Sequence, residues 1–407
     1  MAGMAATVVR GAAWSAQRSA ARDAACGVAR GAECGGVATR SVRRAAPVFS
    51  ALFRGGSRGL ADGAFANGDP TAVGRGGRAR SAVEFSSPGV VRVVEEVLPE
   101  RPPGHATVRA NLSAISAGTE RTVLLQGVGA DGEAVDPSLT SLAAQGGGWP
   151  IRYGYCLVGR VEAGDSRAVG ERVFGFHPHA SVAHVSETEL MSVPEAVPDE
   201  DAAFFANMET ACSLVQDAAP VIGDRIAVHG AGVVGALVAA ILAHHRHDVT
   251  VFEPCAARAV AVQAAFPALK LCTSASGSSA GAGAGDFDLA VEASSCPAAL
   301  AAALNGLRRG GRAIVGSWYG EAEVPLPLGL QFHRSEISIV ASQVSRIAAP
   351  LATRWSKLRR AALAWDMVQM VRPAAWVPTD RYPVSDAGQA YQAILRGESA
   401  SQVFLTY

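Results

Sequence analysis

The chain has 407 residues, carries 36 basic and 36 acidic side chains, and is 49% hydrophobic. This length allows two domains with a large core, and the balanced charge argues against a nucleic-acid partner. No apolar run reaches the roughly 18 residues that a membrane-spanning helix needs, and the seven scattered cysteines form no C-x-x-C pair, which argues against a disulfide framework or a structural zinc site.

Residues 1–80 form an N-terminal extension rich in alanine, glycine and arginine, which we expect to be largely disordered. Its first 60 residues hold nine arginines, no lysine and only two acids, Asp23 and Glu33. This composition is typical of a transit segment for a mitochondrion or a plastid. The alternative is a tail without an address on a cytoplasmic protein.

Short β-type runs separated by proline and glycine turns follow up to about residue 194. They cover residues 90–97, 106–115, 157–163, 172–176 and 182–185. A helix then opens at Pro198 with acids in its first turn, as the helix dipole prefers. We therefore predict a β-rich domain over residues 81–211.

Residues 212–345 alternate β-type and helical runs, which predicts an α/β domain with a doubly wound parallel sheet. The strand candidates are residues 225–229, 248–253, 269–273, 288–292, 312–316 and 337–343. A serine, glycine and alanine tract at residues 274–285 replaces the helix expected between the third and fourth strands. After the sixth strand, we predict a helix over residues 354–370 and a last strand over residues 403–407.

The first of these strands runs into three glycines with G-x-G-x-x-G spacing. Gly230 permits a tight turn, Gly232 lets backbone N–H groups approach a pyrophosphate, and Gly235 lets the next helix pack on the strand. Val233 and Val234 open that helix, whose N-terminus favours negative charge. We predict that these five residues bind a dinucleotide.

Glu253 ends the second strand, 18 residues after the last glycine. A carboxylate here can accept hydrogen bonds from the adenosine ribose and repels a 2′-phosphate. We therefore expect NAD(H) rather than NADP(H). Arg258 lies five residues further on and is expected on the face of the next helix; the alternative is that it softens this preference.

The order of these parts resembles the medium-chain dehydrogenase/reductase superfamily, the alcohol dehydrogenase-like fold. The resemblance covers residues 82–407 and rests on Ile-Ser-Ala-Gly-Thr-Glu (115–120), Tyr-Gly-Tyr-Cys-Leu-Val-Gly-Arg-Val-Glu (153–162), Gly-Glu-Arg-Val-Phe-Gly (170–175), Met-Glu-Thr-Ala-Cys (208–212), the glycine fingerprint and Val-Ser-Asp-Ala-Gly-Gln-Ala-Tyr (384–391). It implies a GroES-like β-rich catalytic domain, a Rossmann domain, and a return of residues 346–407 to the catalytic domain. The assembly expected is a homodimer.

Three further motifs resemble a bacterial subgroup of this superfamily. They are Gly-Ser-Trp-Tyr-Gly (316–320), Phe-His-Arg (332–334) and Ala-Ser-Gln-Val-Ser (341–345). Members of the subgroup are described as zinc-type alcohol dehydrogenase-like, or as similar to the bacteriochlorophyllide a dehydrogenase. The subgroup resemblance says little about the substrate.

The chain departs from the superfamily pattern where a catalytic zinc is held. A zinc-containing member carries Cys-Gly-Thr-Asp where this chain has residues 116–120, Gly-His-Glu where it has residues 154–156, and a third ligand near Ala206 or Asn207. Neutral serine and asparagine oxygens hold zinc poorly, so we expect no catalytic metal. The alternative is a rearranged site that uses Cys156, Glu209 or His177.

Four side chains are the catalytic candidates. Tyr155 occupies the position of the missing histidine ligand and can donate to a substrate oxygen. Ser116 and Thr119 lie on the loop that normally bears the metal and can relay a proton, while Glu209 can act as a base or hold a hydroxyl. For each of the four, an ordinary structural role is the alternative.

Three other polar residues also have a functional and a structural interpretation. His177 and His179 flank Pro178 and, in the absence of an evident third ligand, are expected to be structural. Arg334 precedes the sixth strand and is expected either to anchor a substrate carboxylate or to form an ion pair.

Taken together, the residues and the resemblance predict an NAD(H)-dependent, zinc-independent oxidoreductase. It would transfer a hydride between nicotinamide and a small or medium organic substrate, with secondary alcohol–ketone interconversion favoured. Reduction of a conjugated carbon–carbon double bond is the alternative reaction. A non-catalytic dinucleotide-binding protein is the alternative class.

Overall fold

The computed structural model describes residues 77–128, 148–273 and 285–407. The N-terminal extension therefore lies outside the described residues except for its last four, and so does the serine, glycine and alanine tract except for Gly285. Within the described part of the chain, no helix is both long and apolar enough to cross a membrane.

The β-rich domain begins with an antiparallel hairpin and continues into a larger sheet. Its strands are β1 (Ala79–Ser87), β2 (Val90–Val97), β3 (His105–Ile115), β4 (Leu157–Ala163), β5 (Arg172–Gly175), β6 (Val182–Ser186) and β7 (Met191–Ser192). Its helices are α1 (Ala117–Gln126), α2 (Asp199–Ala202) and α3 (Phe205–Ala218). The long strand β3 serves two cores, because Ala106 and Val108 face one buried cluster while Leu112 and Ala114 face another.

The Rossmann domain is a six-stranded sheet in which every strand is parallel to its neighbours. Its strands are β8 (Arg225–His229), β9 (Asp248–Phe252), β10 (Lys270–Cys272), β11 (Phe287–Glu292), β12 (Leu307–Val315) and β13 (Ser338–Ala341). Its helices are α4 (Val233–His244), α5 (Ala256–Ala265) and α6 (Pro297–Gly306). The order β10-β9-β8-β11-β12-β13 reverses direction at β8, so the crevice beside that strand opens at its carboxyl end.

The last part of the chain returns to the β-rich domain. It contains α7 (Lys357–Val371), β14 (Thr379–Pro383), α8 (Ala387–Leu395) and β15 (Gln402–Thr406). Strand β15 pairs antiparallel with β3 and completes the seven-stranded sheet. The predicted α/β fold, with a β-rich domain and a doubly wound parallel sheet, is confirmed.

The first strand starts earlier than the expected boundary at residue 81. Strand β1 begins at Ala79, and Arg80 forms an ion pair with Glu96 at 2.7 Å. Ser81 exchanges two hydrogen bonds with Ser181, one from its own N–H at 2.9 Å and one to its carbonyl at 2.8 Å. Residues 79–81 therefore belong to the folded domain.

Candidate functional site

The glycine loop has the geometry that its spacing predicts. Gly230 adopts φ +94°, and a Cβ there would lie 2.9 Å from the Cα of Ser294. A Cβ on Gly235 would lie 2.0 Å from the carbonyl oxygen of Gly230, so only glycine lets α4 pack this closely on the loop. A Cβ on Gly232 would meet nothing within 4 Å. The middle glycine therefore faces open space, as an approaching ligand requires.

Helix α4 begins directly after this open position. Gly232 is its N-cap, and Val233 and Val234 form its partly buried first turn. The first N–H groups of a helix have no partner within the helix, and its dipole favours anions there. The loop and the start of α4 can therefore hold a pyrophosphate.

Glu253 lies at the end of β9, but its carboxylate already has protein partners. It is 2% exposed, and it accepts hydrogen bonds from the N–H groups of Ala231 at 2.7 Å and Cys255 at 2.8 Å. Arg258 lies on the next helix, as expected, and also donates to Glu253 at 2.8 Å. Glu253 ties the glycine loop to the end of β9, and the adjacent guanidinium offsets its charge.

A second carboxylate closes the carboxyl end of the neighbouring strand β11. Glu292 is fully buried and accepts hydrogen bonds from the hydroxyl of Ser294 at 2.7 Å and that of Tyr319 at 2.9 Å. Burial, and then the charge of Glu292, raise the pKa of Tyr319 above its usual value. Sequence reasoning missed this pair, although an acid at the end of an apolar strand was a visible signal.

The loop that carries Tyr319 also reaches the β-rich domain. The N–H of Glu321 donates to the amide oxygen of Gln126 at 3.3 Å. A Cβ on Gly320 would lie 2.1 Å from that oxygen. Gln126 is the last residue of α1. The loop after β12 therefore contacts the C-terminal end of α1.

Three of the four catalytic candidates meet at the start of α1. The Tyr155 hydroxyl donates to the hydroxyl of Ser116, the N-cap of α1, and lies 3.4 Å from the hydroxyl oxygen of Thr119. Burial raises the pKa of Tyr155 above its usual range, so the phenol stays protonated near neutral pH. We call Tyr155, Ser116 and Thr119 the hydroxyl trio.

The residues at the zinc-ligand positions do not fit a zinc ion. Matching Gly118-Thr119-Glu120 to the Gly-Thr-Asp part of the motif puts Ala117, rather than Ser116, at the cysteine position. Ala206 is buried and apolar, and the Asn207 amide lies 3.4 Å from the amide oxygen of Gln402. In the part of the chain that the structure describes, no group of three His, Cys, Asp or Glu side chains is placed to hold a metal.

The fourth candidate, Glu209, lies in a different arrangement from the one expected. It pairs with the guanidinium of Arg360 at 3.1 Å, and Arg360 is 1% exposed. Arg360 also donates to the carbonyl oxygens of Val344 and Arg346, so the pair joins α3, α7 and the segment after β13. Removing one partner of such a pair typically costs about 3–5 kcal/mol. This geometry argues for a structural role rather than for a base.

The other polar residues singled out from the sequence do not come together in one site. His177 lies 2.7 Å from the carbonyl oxygen of Pro178, and burial lowers its pKa to about 4. His179 is fully buried beside Glu120 at 3.0 Å, so the two histidines share no site. Arg334 is exposed and precedes β13, so it lies at the amino end of the parallel strands. The glycine loop lies at their carboxyl end, after β8. An anchoring role near the nicotinamide is therefore not supported for Arg334.

No protein-family model and no curated protein matches the chain. Among solved structures, 2R,3R-butanediol dehydrogenase from Bacillus subtilis has a TM-score of 0.62 at 15% identity, over 81% of this chain and 99% of its own. An alcohol dehydrogenase from Escherichia coli CFT073 complexed with NADH has a TM-score of 0.61 at 16% identity, over 82% and 100%. An oxidoreductase from Salmonella enterica in complex with NADP has a TM-score of 0.59 at 17% identity, over 81% and 99%.

At these identities the likeness shows the fold. The described residues between 77 and 407 share the fold of these proteins. The similar proteins bind either NADH or NADP, so they leave the choice of dinucleotide open.

Proposed function

We propose that this protein is a zinc-independent oxidoreductase that transfers a hydride between a nicotinamide dinucleotide and a small or medium organic substrate. The observation that carries the proposal is the hydroxyl trio, in which Tyr155, at the position of the histidine ligand in the zinc-containing pattern, contacts the hydroxyls of Ser116 and Thr119. We infer that the trio faces the crevice at the carboxyl edge of the Rossmann sheet, and the contact of the last residue of its helix, α1, with the loop after β12 supports this inference. One wall of that crevice can bind a cofactor and the other can bind an oxygen.

The dinucleotide, when bound, supplies or accepts the hydride. The chain's own residues then have two tasks. The glycine loop and the start of α4 hold the phosphates and fix the cofactor's orientation. When a substrate binds, the Tyr155 hydroxyl would turn from Ser116 to donate to the carbonyl oxygen and pass its proton to that oxygen during reduction. The hydroxyls of Ser116 and Thr119 would then donate to the phenolate and relay to it one proton taken up from solvent.

We favour interconversion of a secondary alcohol and a ketone, on the subgroup resemblance. Reduction of a conjugated carbon–carbon double bond would use the same donor, because the carbonyl oxygen of an enone also gains charge. A non-catalytic dinucleotide-binding protein is the rival class, since Ala117 and Tyr155 replace two metal ligands.

For the cofactor we propose NAD(H), with NADP(H) less favoured. The buried carboxylate of Glu253 at the end of β9 supports this choice. The adjacent Arg258 offsets part of its charge. We therefore expect a modest preference for NADH rather than exclusion of NADPH.

A panel assay tests the proposed function. Purified protein is incubated with NADH or NADPH and a series of ketones and enones, and both cofactor absorbance and products are followed. We expect turnover of at least one carbonyl compound, and the product, alcohol or saturated ketone, identifies the reaction. Tight dinucleotide binding without turnover across the panel would support the non-catalytic alternative.

A further inference from the structure

A buried polar network lies directly behind the hydroxyl trio. Glu120 and His179 are both fully buried, and the imidazole Nε2 lies 3.0 Å from the carboxylate. The other ring nitrogen of His179 lies 2.7 Å from the hydroxyl of Ser113, which lies 2.8 Å from the hydroxyl of Tyr407. Tyr391 donates its hydroxyl to the same oxygen of Glu120. We call this set the Glu120 network.

One arrangement of protons satisfies every member of this network. Tyr407 donates to Ser113, Ser113 donates to Nδ1 of His179, and Nε2–H of His179 donates to Glu120. In this arrangement Glu120 accepts hydrogen bonds from His179, from Tyr391 and from the backbone N–H of Ser116. A fully satisfied buried network of this kind holds its members in one geometry.

The network is connected to the hydroxyl trio at two points. The second oxygen of Glu120 accepts a hydrogen bond from the backbone N–H of Ser116 at 2.7 Å. This bond fixes the N-cap residue whose hydroxyl accepts the hydrogen bond of Tyr155. The ring of His179 packs against Gly154, the residue before Tyr155. A Cβ on Gly154, at φ +125°, would lie 2.7 Å from that ring.

We propose that Glu120 and His179 are positioning residues for the hydroxyl trio, Glu120 through the backbone of Ser116 and His179 through Gly154. This inference rests on the proposed function, because it assigns the two residues to the site that holds the substrate oxygen. The network does not pass protons to the crevice. Its link to Ser116 is a backbone N–H, and an amide of this kind fixes geometry without exchanging its proton in the cycle.

The test measures the fluorine resonance of Tyr155, which reports a change in the surroundings of its ring. The chain contains six tyrosines, all within residues 153–407, so 3-fluorotyrosine labelling gives six fluorine resonances that single Tyr→Phe variants assign. Glu120→Gln should shift or split the Tyr155 resonance. It should also lower kcat by about 10–10²-fold, the usual penalty for a misplaced catalytic group. The KM for NADH should stay unchanged, because the phosphates bind elsewhere.

A milder variant covers the case in which Glu120→Gln does not fold. Ser113→Ala removes the hydroxyl beside His179, and Thr107→Val is its matched control. Thr107 lies on the same strand and its hydroxyl also lies beside a histidine, His184, at 3.1 Å. We expect Ser113→Ala to move the Tyr155 resonance and to lower kcat, whereas Thr107→Val changes neither.

The outcomes separate this inference from the proposed function. An unmoved Tyr155 resonance in the folded network variants, with wild-type kcat where turnover exists, would overturn the positioning role. If the wild type turns over no substrate, the proposed function fails while the fluorine spectra still decide whether the network positions Tyr155.

Discussion

Tyr155 is the residue on which the proposed chemistry depends. Its hydroxyl already donates to Ser116, so the phenol is oriented before a substrate arrives. Burial raises its pKa above the ordinary value of about 10, which keeps the proton on the phenol across the working range. A protonated phenol can stabilise an oxygen that gains negative charge, which is the task that a metal ion would otherwise perform.

Replacing Tyr155 with phenylalanine should affect turnover rather than cofactor binding. We expect kcat to fall by about 10²–10³-fold, the usual cost of one donor to a developing oxyanion. NADH affinity should stay within a small factor of the wild type. Steady-state kinetics and a fluorescence titration measure the two effects. Wild-type kcat in Tyr155→Phe would remove this residue from the mechanism.

Cofactor choice should depend on Glu253 and Arg258 together. Glu253→Ser removes the carboxylate and leaves the guanidinium, so the preference for NADH over NADPH should fall by about tenfold, or about 1.4 kcal/mol. Both affinities should weaken, because Glu253 also holds the N–H of Ala231. Arg258→Ala is the paired variant and should strengthen the preference for NADH. Tighter binding of NADPH than NADH by the wild type would contradict this assignment.

At the scale of elements, the sequence predicted the strands and the loop that are set by local residue patterns. The six Rossmann strands were found because each is an apolar run bounded by turns, and the glycine fingerprint because its spacing is fixed. The ion pair of Glu209 with Arg360 and the pair of Glu120 with His179 were missed. Their partners are 151 and 59 residues apart, and no periodicity marks such contacts.

The roles of the middle and last glycines of the fingerprint can be separated by experiment. Gly232→Ala places its Cβ in open space at an ordinary φ of −60°, so the thermal midpoint should be unchanged while dinucleotide affinity falls. Gly235→Ala places its Cβ 2.0 Å from a backbone oxygen, so the unliganded protein itself should lose stability. Thermal unfolding without ligand, followed by titration with NADH, distinguishes the two. Full dinucleotide affinity in Gly232→Ala would contradict the phosphate site.

At the scale of the whole molecule, the open edges of the Rossmann sheet are candidates for contacts between copies of the chain. In the described chain, β10 and β13 are its two edge strands, and β13 pairs only with β12. A second copy can add to such an edge, so the expected homodimer stays a prediction. Mitochondrial or plastid targeting also stays a prediction, because the first 76 residues lie outside the described chain.

Truncation tests where the folded domain begins. A protein that starts at residue 77 retains all of β1 and should keep the thermal midpoint and cofactor affinity of the full chain. One that starts at residue 82 loses the ion pair of Arg80 and the bonds of Ser81, and its midpoint should fall by several degrees. Equal stability of the two shortened proteins would show that residues 79–81 contribute little.

Zinc independence is the central claim, and removal of metal from a working enzyme tests it most directly. Protein treated with a chelator and dialysed should contain no stoichiometric zinc, and it should oxidise NADH with its carbonyl substrate at an unchanged rate. The reason is that the proposed mechanism uses the hydroxyl of Tyr155, rather than a metal, to contact the reacting oxygen. About one zinc per chain, with activity that chelation abolishes and added zinc restores, would contradict the account.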